Sequence, residues 1–444
     1  MPNNLINFLS SQDIYTFQYN FFPVGQGLFT AGIVTRKQRL PFQWVYDCGT
    51  ERGRQKNPRR RLLRQINTFR GVSDAFYPEN RHLNLACISH FDTDHISGFV
   101  DLLRYYTIGT LVIPYLTPWQ RLEIALNTGS TANGWFMKFL LAPAEYFIDN
   151  FADRIQRILL VGPSGDAQPL ELSDPERPLV PVEGADDIIF ETGDDLGETE
   201  DYAPNKKGAS GVIISLLRPG GTITIPHIWE FVPYNDANYS SHVTQNFKDS
   251  AIKSLKIIKT GKISDKIKEL DKLKVLYDAQ FKSPNAKKID GIRRNIISLF
   301  LYCGPVGKAR LVHQQEYCLR RRHLQWCTGS ISCNLKSDRM GQLLTGDGYL
   351  KTPAQINALI RFYRPYLRLY HSAVLQVMHH GSRENWHAGV AKMLDPQVSV
   401  FSSNPERKRW YHPHFEVLRD FINHHPIQVD ARDGWAWRGM FEFR

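Results

Sequence analysis

Residues 89 to 95 read Ser-His-Phe-Asp-Thr-Asp-His, and four of them, His90, Asp92, Asp94 and His95, are metal-ligand types within six positions. Imidazoles and carboxylates packed this closely destabilise one another unless a cation lies among them. A turn that only capped a helix would need one such side chain, not four. The same residue types recur in short clusters further along. Asp47 stands in Val45-Tyr-Asp-Cys-Gly49 and Asp347 in Leu344-Thr-Gly-Asp-Gly348. His379 and His380 stand in Val377-Met-His-His-Gly-Ser382, and His412 and His414 in Tyr411-His-Pro-His-Phe-Glu-Val417. Such a set suits divalent cations and the hydrolysis they support. No Ser-His-Asp or Cys-His nucleophile pattern competes with it.

The first cluster resembles the His-x-His-x-Asp-His loop of the metallo-β-lactamase fold superfamily, with Asp92 in place of the second His. That replacement is similar to one branch, the soluble hydrolase domain of the competence protein ComEC and its relatives. Phe22-Pro-Val-Gly-Gln-Gly27 resembles the branch's opening strand and turn, and Asn295-Ile-Ile-Ser298 its Asn-x-x-Ser strand. The clusters at Asp47, Asp347, His379 and His412 follow in the family's order, from residue 22 to residue 417. The resemblance covers the hydrolase part only, because no membrane channel segment accompanies it.

The resemblance implies metal ligands at His90, Asp92, Asp94, His95, Asp347 and one of His379 or His380. Asp347 would bridge two cations and Asp47 would orient a ligand His or the loop. His379 is favoured over His380 because it directly ends a strand, and a strand end aims one side chain inward. The superfamily's further His between the first loop and the bridging Asp has no equivalent; Asn295 occupies the comparable stretch. An oxygen-rich site shifts preference toward Mn²⁺, with Zn²⁺ as the second choice. Asp94 and His412 are the catalytic candidates, Asp94 in holding the cations and His412 as a phosphate contact or proton donor. Asn404 and His414 are candidate substrate contacts. Ser89 and Ser382 are expected to orient the loops.

These side chains need strand ends and loops to hold them. Tyr15 to Val24, Phe29 to Thr35 and Gln43 to Tyr46 have strand composition, and Leu83 to Ile88 delivers the first loop. Leu111 to Tyr115 follows as a strand. Residues 119 to 160 look helical, interrupted at Pro143. Val212 to Leu217 and Ile223 to Val232 read as strands joined through Pro219-Gly220-Gly221, a hairpin signal. Ala251, Leu255 and Ile258, then Ile263, Ile267, Leu270, Leu273 and Leu276, recur at helical spacing with Lys elsewhere. Thr352-Pro353 opens a helix to about Tyr363. Val374 to Met378 and Val398 to Ser402 are strands, Phe415 to His424 a helix, and Ile427 to Phe443 closing strands with an Asp-Gly turn. Strands and helices alternate in two series, 15 to 116 and 212 to 443. Together with the resemblance this implies an α/β chain folded as an αββα four-layer sandwich: a first part over 1–235, a basic helical insertion over 236–290, and a second part over 291–444.

The chain has 444 residues, a net charge of +11 and a pI near 9.2. The charge is uneven. Glu51 to Arg70 holds seven Arg and one Lys against one Glu, and Lys248 to Arg294 twelve Lys and two Arg against six acids. Glu183 to Asp201 holds nine acids and no base, as an exposed loop would. Arg59, Arg60 and Arg61 follow the Asp47 loop closely, which suits a polyanionic substrate beside the hydrolytic centre. The helical insertion reads either as an arm with a solvated basic face or as a substrate or partner clamp. Six cysteines without a Cys-x-x-Cys pair favour free thiols over a disulfide scaffold or a zinc knob at Cys303, Cys318, Cys327 and Cys333. No segment has the length and apolarity of a membrane span, and the first residues lack the pattern of a signal peptide. A reduced, cytoplasmic protein is expected.

The expected activity is therefore a metal-dependent nuclease that cleaves phosphodiesters of DNA or RNA with a hydroxide activated between two cations. Two other readings stand beside it. One is a phosphodiesterase for a small nucleotide or phosphorylated metabolite. The other is a nucleic-acid-binding assembly module with an incidental metal site.

Overall fold

Two apolar faces per strand, and one apolar stripe per helix, dictate a layered molecule. The computed structural model describes residues 14–36, 39–51, 57–127, 134–164, 169, 188–193, 211–236, 244–279, 298–320, 323–326, 336–405 and 412–444. Strands β1 (Ile14–Phe21), β2 (Phe29–Arg36), β3 (Arg39–Cys48), β4 (His82–Cys87), β5 (Thr107–Pro114), β6 (Ile155–Val161) and β7 (Ile213–Leu217) belong to a first sheet. The chain then crosses to a second sheet for β8 (Ile223–Ile225), β9 (Trp229–Asn235) and β10 (Leu299–Pro305). It returns to the first for β11 (Ala309–Arg320) and β12 (His323–Trp326). β13 (Gly341–Leu344), β14 (Ser372–Gln376), β15 (Val398–Ser402) and β16 (Pro426–Val429) complete the second sheet, and β17 (Asp433–Phe443) closes in the first, between β11 and β1.

Helices cover both outer faces. Over the first sheet lie α1 (Pro58–Phe76), α2 (Thr93–Ile96), α3 (Phe99–Leu103), α4 (Pro118–Asn127), α5 (Trp135–Leu141) and α6 (Pro143–Phe151). The pair α7 (Gln245–Thr260) and α8 (Ile263–Ala279) packs against α4 and α5 in the same layer. Over the second sheet lie α9 (Pro353–Tyr363), α10 (Arg368–His371), α11 (Val390–Leu394) and α12 (Phe415–Asp420). Three apolar clusters fill the gaps: helices on sheet, sheet on sheet, and sheet on helices. This is the αββα four-layer sandwich.

The middle layer is aromatic. Phe17, Tyr19, Trp44, Trp229 and Trp437 meet there with ring centroids 4.9–6.3 Å apart. The buried phenols find backbone acceptors in the opposite sheet: Tyr19 donates to the Met340 carbonyl at 2.7 Å and Tyr46 to that of Leu299 at 2.7 Å. These bonds tie the two sheets together, Tyr46 beside the edge that carries the chemistry and Tyr19 toward the other end of β13.

Several expected elements differ. Residues 119 to 160 are not helical throughout: α4, α5 and α6 are followed by β6, which pairs in parallel between β5 and β7. A short apolar run buried on both faces has neither the 3.6- nor the 2-residue period, so its pattern does not separate strand from helix. Pro219-Gly220-Gly221 does not close a hairpin. It turns the chain from β7 in one sheet to β8 in the other, and the hairpin lies inside the expected strand, with Ile223 opposite Phe231. The two closing strands β16 and β17 also belong to different sheets, and α12 ends at Asp420. β11 and β12 were not anticipated. The two sheets are therefore interleaved along the sequence and do not correspond to its two halves. Most of the acidic run, the linker around Asn295, and Cys327 and Cys333 lie outside the described residues, whereas Cys303 and Cys318 are free thiols.

Candidate metal centre

Strands β3, β4 and β5 run parallel, so their C-terminal ends share one edge of the first sheet. Asp47 sits at the end of β3 and Ser89 to His95 follow β4 into α2. The second sheet presents its matching edge: Ser298 precedes β10, Asp347 follows β13, and His379 and His380 follow β14. Close backbone approach makes this junction possible. A Cβ on Gly27, whose φ is +139°, would come within 2.8 Å of the Asp94 carbonyl oxygen. A Cβ on Gly346, at φ +51°, would collide with Ser298 and Ser89 side chains.

The histidines are held by one nitrogen each. Asp47, wholly buried, accepts from the Ser89 amide at 2.7 Å, the Ser89 hydroxyl at 2.6 Å and His95 Nδ1 at 2.7 Å. Because the Ser89 hydroxyl proton goes to Asp47, its oxygen accepts from His90 Nδ1 at 2.9 Å. His380 Nδ1 donates to the Ser402 carbonyl at 2.5 Å. His379 Nδ1 donates to Asn385 Oδ1 at 2.8 Å, and the Asn385 amide donates to the Asp347 and Gly348 carbonyls at 2.8 and 3.2 Å. All four rings thus carry their proton on Nδ1 and turn Nε2 toward Asp347, at 3.7 Å for His90, 3.1 Å for His95, 3.6 Å for His379 and 3.8 Å for His380.

Two groups of donors result, His90 with His95 and Asp347, and Asp94 with His95 and His380; either could hold a cation. The residues fit one. The Nε2 atoms of His90 and His380 are buried without a hydrogen bond, which is costly unless something else takes the lone pair. An acceptor on the far nitrogen is the arrangement that aims an imidazole at a metal. Electrostatics agree. Burial disfavours a charged His95, but Asp347 and Asp47 outweigh it and carry the imidazole well above its usual range. Burial likewise opposes charge on His380, and Asp347 and Asp94 raise it nonetheless. For Asp347, burial opposes ionisation, yet His379, His95 and His380 hold the carboxyl well below its ordinary value. Burial, reinforced by His95, lowers His90 to about 3. The raised histidines and the depressed Asp347 show the two kinds of group favouring each other's charge, a balance that a cation would supply when bound.

The expected site residues come together at this edge with differences. Asp92 is the N-cap of α2 and half-buried, and it belongs to neither close donor group. The premise that only one of the paired histidines points inward does not hold. β14 ends at Gln376, and His379 and His380 both lie beyond it at φ 43° and 58°, which turns both rings to the same centre. His380 belongs to a close donor group, whereas His379 does not and keeps 24% of its side chain exposed against 2% for His380. His412 is buried with its ring 5.7 Å from His379 and 6.3 Å from His380, and its Nδ1 makes no hydrogen bond. Burial, with His380 and His379, lowers it to about 2. His414 begins α12 and accepts from the Arg383 amide at 3.2 Å. The Asn404 amide faces Gln26 Oε1 at 3.5 Å, beside the Gly-Gln-Gly turn. Arg59 pairs with Asp101 of α3 at 3.1 Å, so its charge is already engaged; Arg60 is exposed and Arg61 half-buried.

Sequence reasoning missed the residues that align the loops. Asn385 joins His379 to the Asp347 loop, and buried Gln376 accepts from the Thr345 and Gly346 amides at 2.9 and 2.7 Å. Neither has a local pattern that announces it.

Among solved structures, the chain is similar to the metallo-β-lactamase fold protein YhfI from Bacillus subtilis, with 9% identity and a TM-score of 0.34 over 95% of this chain and 99% of that one. It is also similar to a long form RNase Z from yeast, with 8% identity and a TM-score of 0.34 over 94% of this chain and 41% of that one. No protein-family model matches the chain, and no curated protein matches it. The functional reading rests on the site's own geometry.

Proposed function

We propose that the chain is a metal-dependent hydrolase of the metallo-β-lactamase fold, of the ComEC-like branch, that cleaves phosphodiester bonds in nucleic acid. The observation that carries the hydrolase reading is the set of four histidines held at Nδ1 with every Nε2 turned to Asp347. His90, Asp92, Asp94, His95, Asp347 and His380 would hold two divalent ions, Mn²⁺ in preference to Zn²⁺ given three carboxylates in the set. When bound, such ions polarise a phosphoryl oxygen and lower the pKa of water.

The chain's own residues do the rest. Asp47 and Ser89 fix the orientation of His95 and His90. Asn385 holds His379 between Asp347 and the opening, where its exposed edge meets substrate. Burial keeps His412 neutral, so its ring N–H serves the phosphate as a hydrogen-bond donor, and the leaving oxygen would take its proton from water. His414 and Asn404 line the approach. The basic composition supports a polyanion, and exposed Arg60 and Arg64, four residues apart on α1, offer one face to it.

Two measurements test the reading. Elemental analysis after Mn²⁺ or Zn²⁺ reconstitution should give up to two ions per chain, and labelled DNA and RNA should be degraded only with metal present. Asp347→Ala should abolish both while circular dichroism stays native. Full activity of that variant in chelator would refute the assignment.

A further inference from the structure

α7 buries Phe247, Ala251, Leu255 and Ile258 in the helix-layer core, against α4, α5 and α8. Its start lies at the edge that carries the metal centre: Lys248 sits 4.7 Å over the ring of Trp119, at the beginning of α4, just after β5. The neighbouring α5 places Phe139 4.9 Å from Phe91, inside the His90–His95 loop. Tyr277 at the end of α8 donates to Glu123 of α4 at 3.1 Å. The pair of helices is thus built into the wall of the site.

The exposed side of α7, with the turn that follows it, is strongly basic. Lys253 and Lys256 lie on its outward side, Lys248 and Lys259 flank it, Lys262 follows the helix after Gly261, and the one acid in the helix, Asp249, shares the outward side with Lys253. Lys253, Lys256 and Lys262 are exposed, whereas Lys259 approaches Glu145 at 3.8 Å. α8 differs: Lys266, Lys268, Lys272 and Lys274 are matched by Asp265, Glu269, Asp271 and Asp278. At a rise of about 1.5 Å per residue, Lys248 to Lys259 spans roughly 16 Å. At ~3.4 Å per phosphate along a strand, that is the reach of about five nucleotides.

We propose that the outer face of α7 is a track for the sugar-phosphate backbone of a nucleic-acid strand that leaves the metal centre. The inference rests on the nuclease reading and adds to it a binding surface outside the catalytic cleft, which makes affinity depend on strand length. Ile252 and Ile257, exposed by 54% and 41%, interrupt the lysines on this face. Two isoleucines bury too little area for an anionic membrane to be the better occupant.

The test uses metal-loaded full-length protein and fluorescein-labelled phosphorothioate single strands of 4 and 20 nucleotides, read by anisotropy across a salt series. The triple change Lys253→Glu, Lys256→Glu, Lys262→Glu should weaken 20-mer binding by about tenfold or more and reduce its salt slope by about two units. Binding of the 4-mer and hydrolysis of bis(4-nitrophenyl) phosphate should not change. The triple Lys→Gln variant should fall between it and the wild type, and reversal of Lys268 and Lys274 on α8 should have little effect. Unchanged length dependence and slope in both triple variants overturns the track. So does loss of binding to phosphatidylserine vesicles with 20-mer binding intact, which makes the face a membrane surface. If the 20-mer pattern holds but no diester is hydrolysed, the catalytic reading fails and the track stands.

Discussion

Ser89 has one hydroxyl proton and Asp47 takes it, which leaves the oxygen to receive His90 while Asp47 also receives His95. One buried carboxylate therefore sets two rings. Asp47→Asn keeps the shape but replaces the charge that favours the His95 proton on Nδ1. Metal affinity should fall by about 10- to 100-fold with little change in fold, read by calorimetric titration of the apo-protein. The histidine pair separates by the same reasoning. His380→Ala should lose metal, His379→Ala should retain it and slow turnover, and His412→Ala should retain it and slow turnover by roughly 10²-fold. Metal content and single-turnover rate on the same preparations decide the matter; loss of metal only in the His412 variant would redraw the ligand set. The donor types were legible in the sequence because metal chemistry is written in side-chain identity. What was not legible was the choice between His379 and His380, since two left-handed residues override the alternation of the strand before them. The acceptors at Asn385 and the Ser402 carbonyl were hidden too, because they exist only once distant loops meet.

Among the elements, those with local signals came out as expected. Thr352 accepts from the Gln355 amide while the Gln355 side chain returns to the Thr352 amide, a complete capping box followed by Pro353. Thr352→Ala should cost about 1 kcal/mol in urea unfolding. β14 and β15 were also recognisable, as apolar runs leading into motif residues. β6 was not, because an apolar run buried on both faces resembles a helix segment, and β11 was not, because its polar alternation depends on pairing with β17. A contact that no local reading could show is the buried pair of Arg368 and Glu230, which meet through two bonds of 2.8 Å between α10 and β9. Arg368→Met should destabilise by about 3–5 kcal/mol, because it strands a buried carboxylate, and adding Glu230→Gln should recover part of the loss. An unchanged unfolding midpoint for the single variant would show that water reaches Glu230.

Across the whole molecule, charge is the property most directly legible, and its consequence is measurable. Arg60→Glu with Arg64→Glu should weaken polymer binding and lower the salt slope by about one unit per lost contact, while a small chromogenic diester is still hydrolysed. Arg59 is left out because Asp101 holds it. If both binding and slope are unchanged, the start of α1 is an ordinary solvated face. The layered architecture followed from the alternation of strands and helices together with the motif order. The assignment of strands to sheets did not, since a turn signal such as Pro219-Gly220-Gly221 reports a change of direction and not where the next strand goes.

β17 pairs along its length with both β1 and β11, so residues 433–443 divide the ten-stranded sheet into two parts that meet only through them. Without this segment β1 has a bare edge, and β11 keeps only its short pairing with β12. The candidate metal ligands lie between His90 and His380, yet the sheet that carries half of them stays open until β17 is in place. A molecule in which residues 433–443 have peeled away therefore loses the seal of the centre's supporting frame and presents two unpaired strand edges, one on β1 and one on β11, to any neighbour that recognises them.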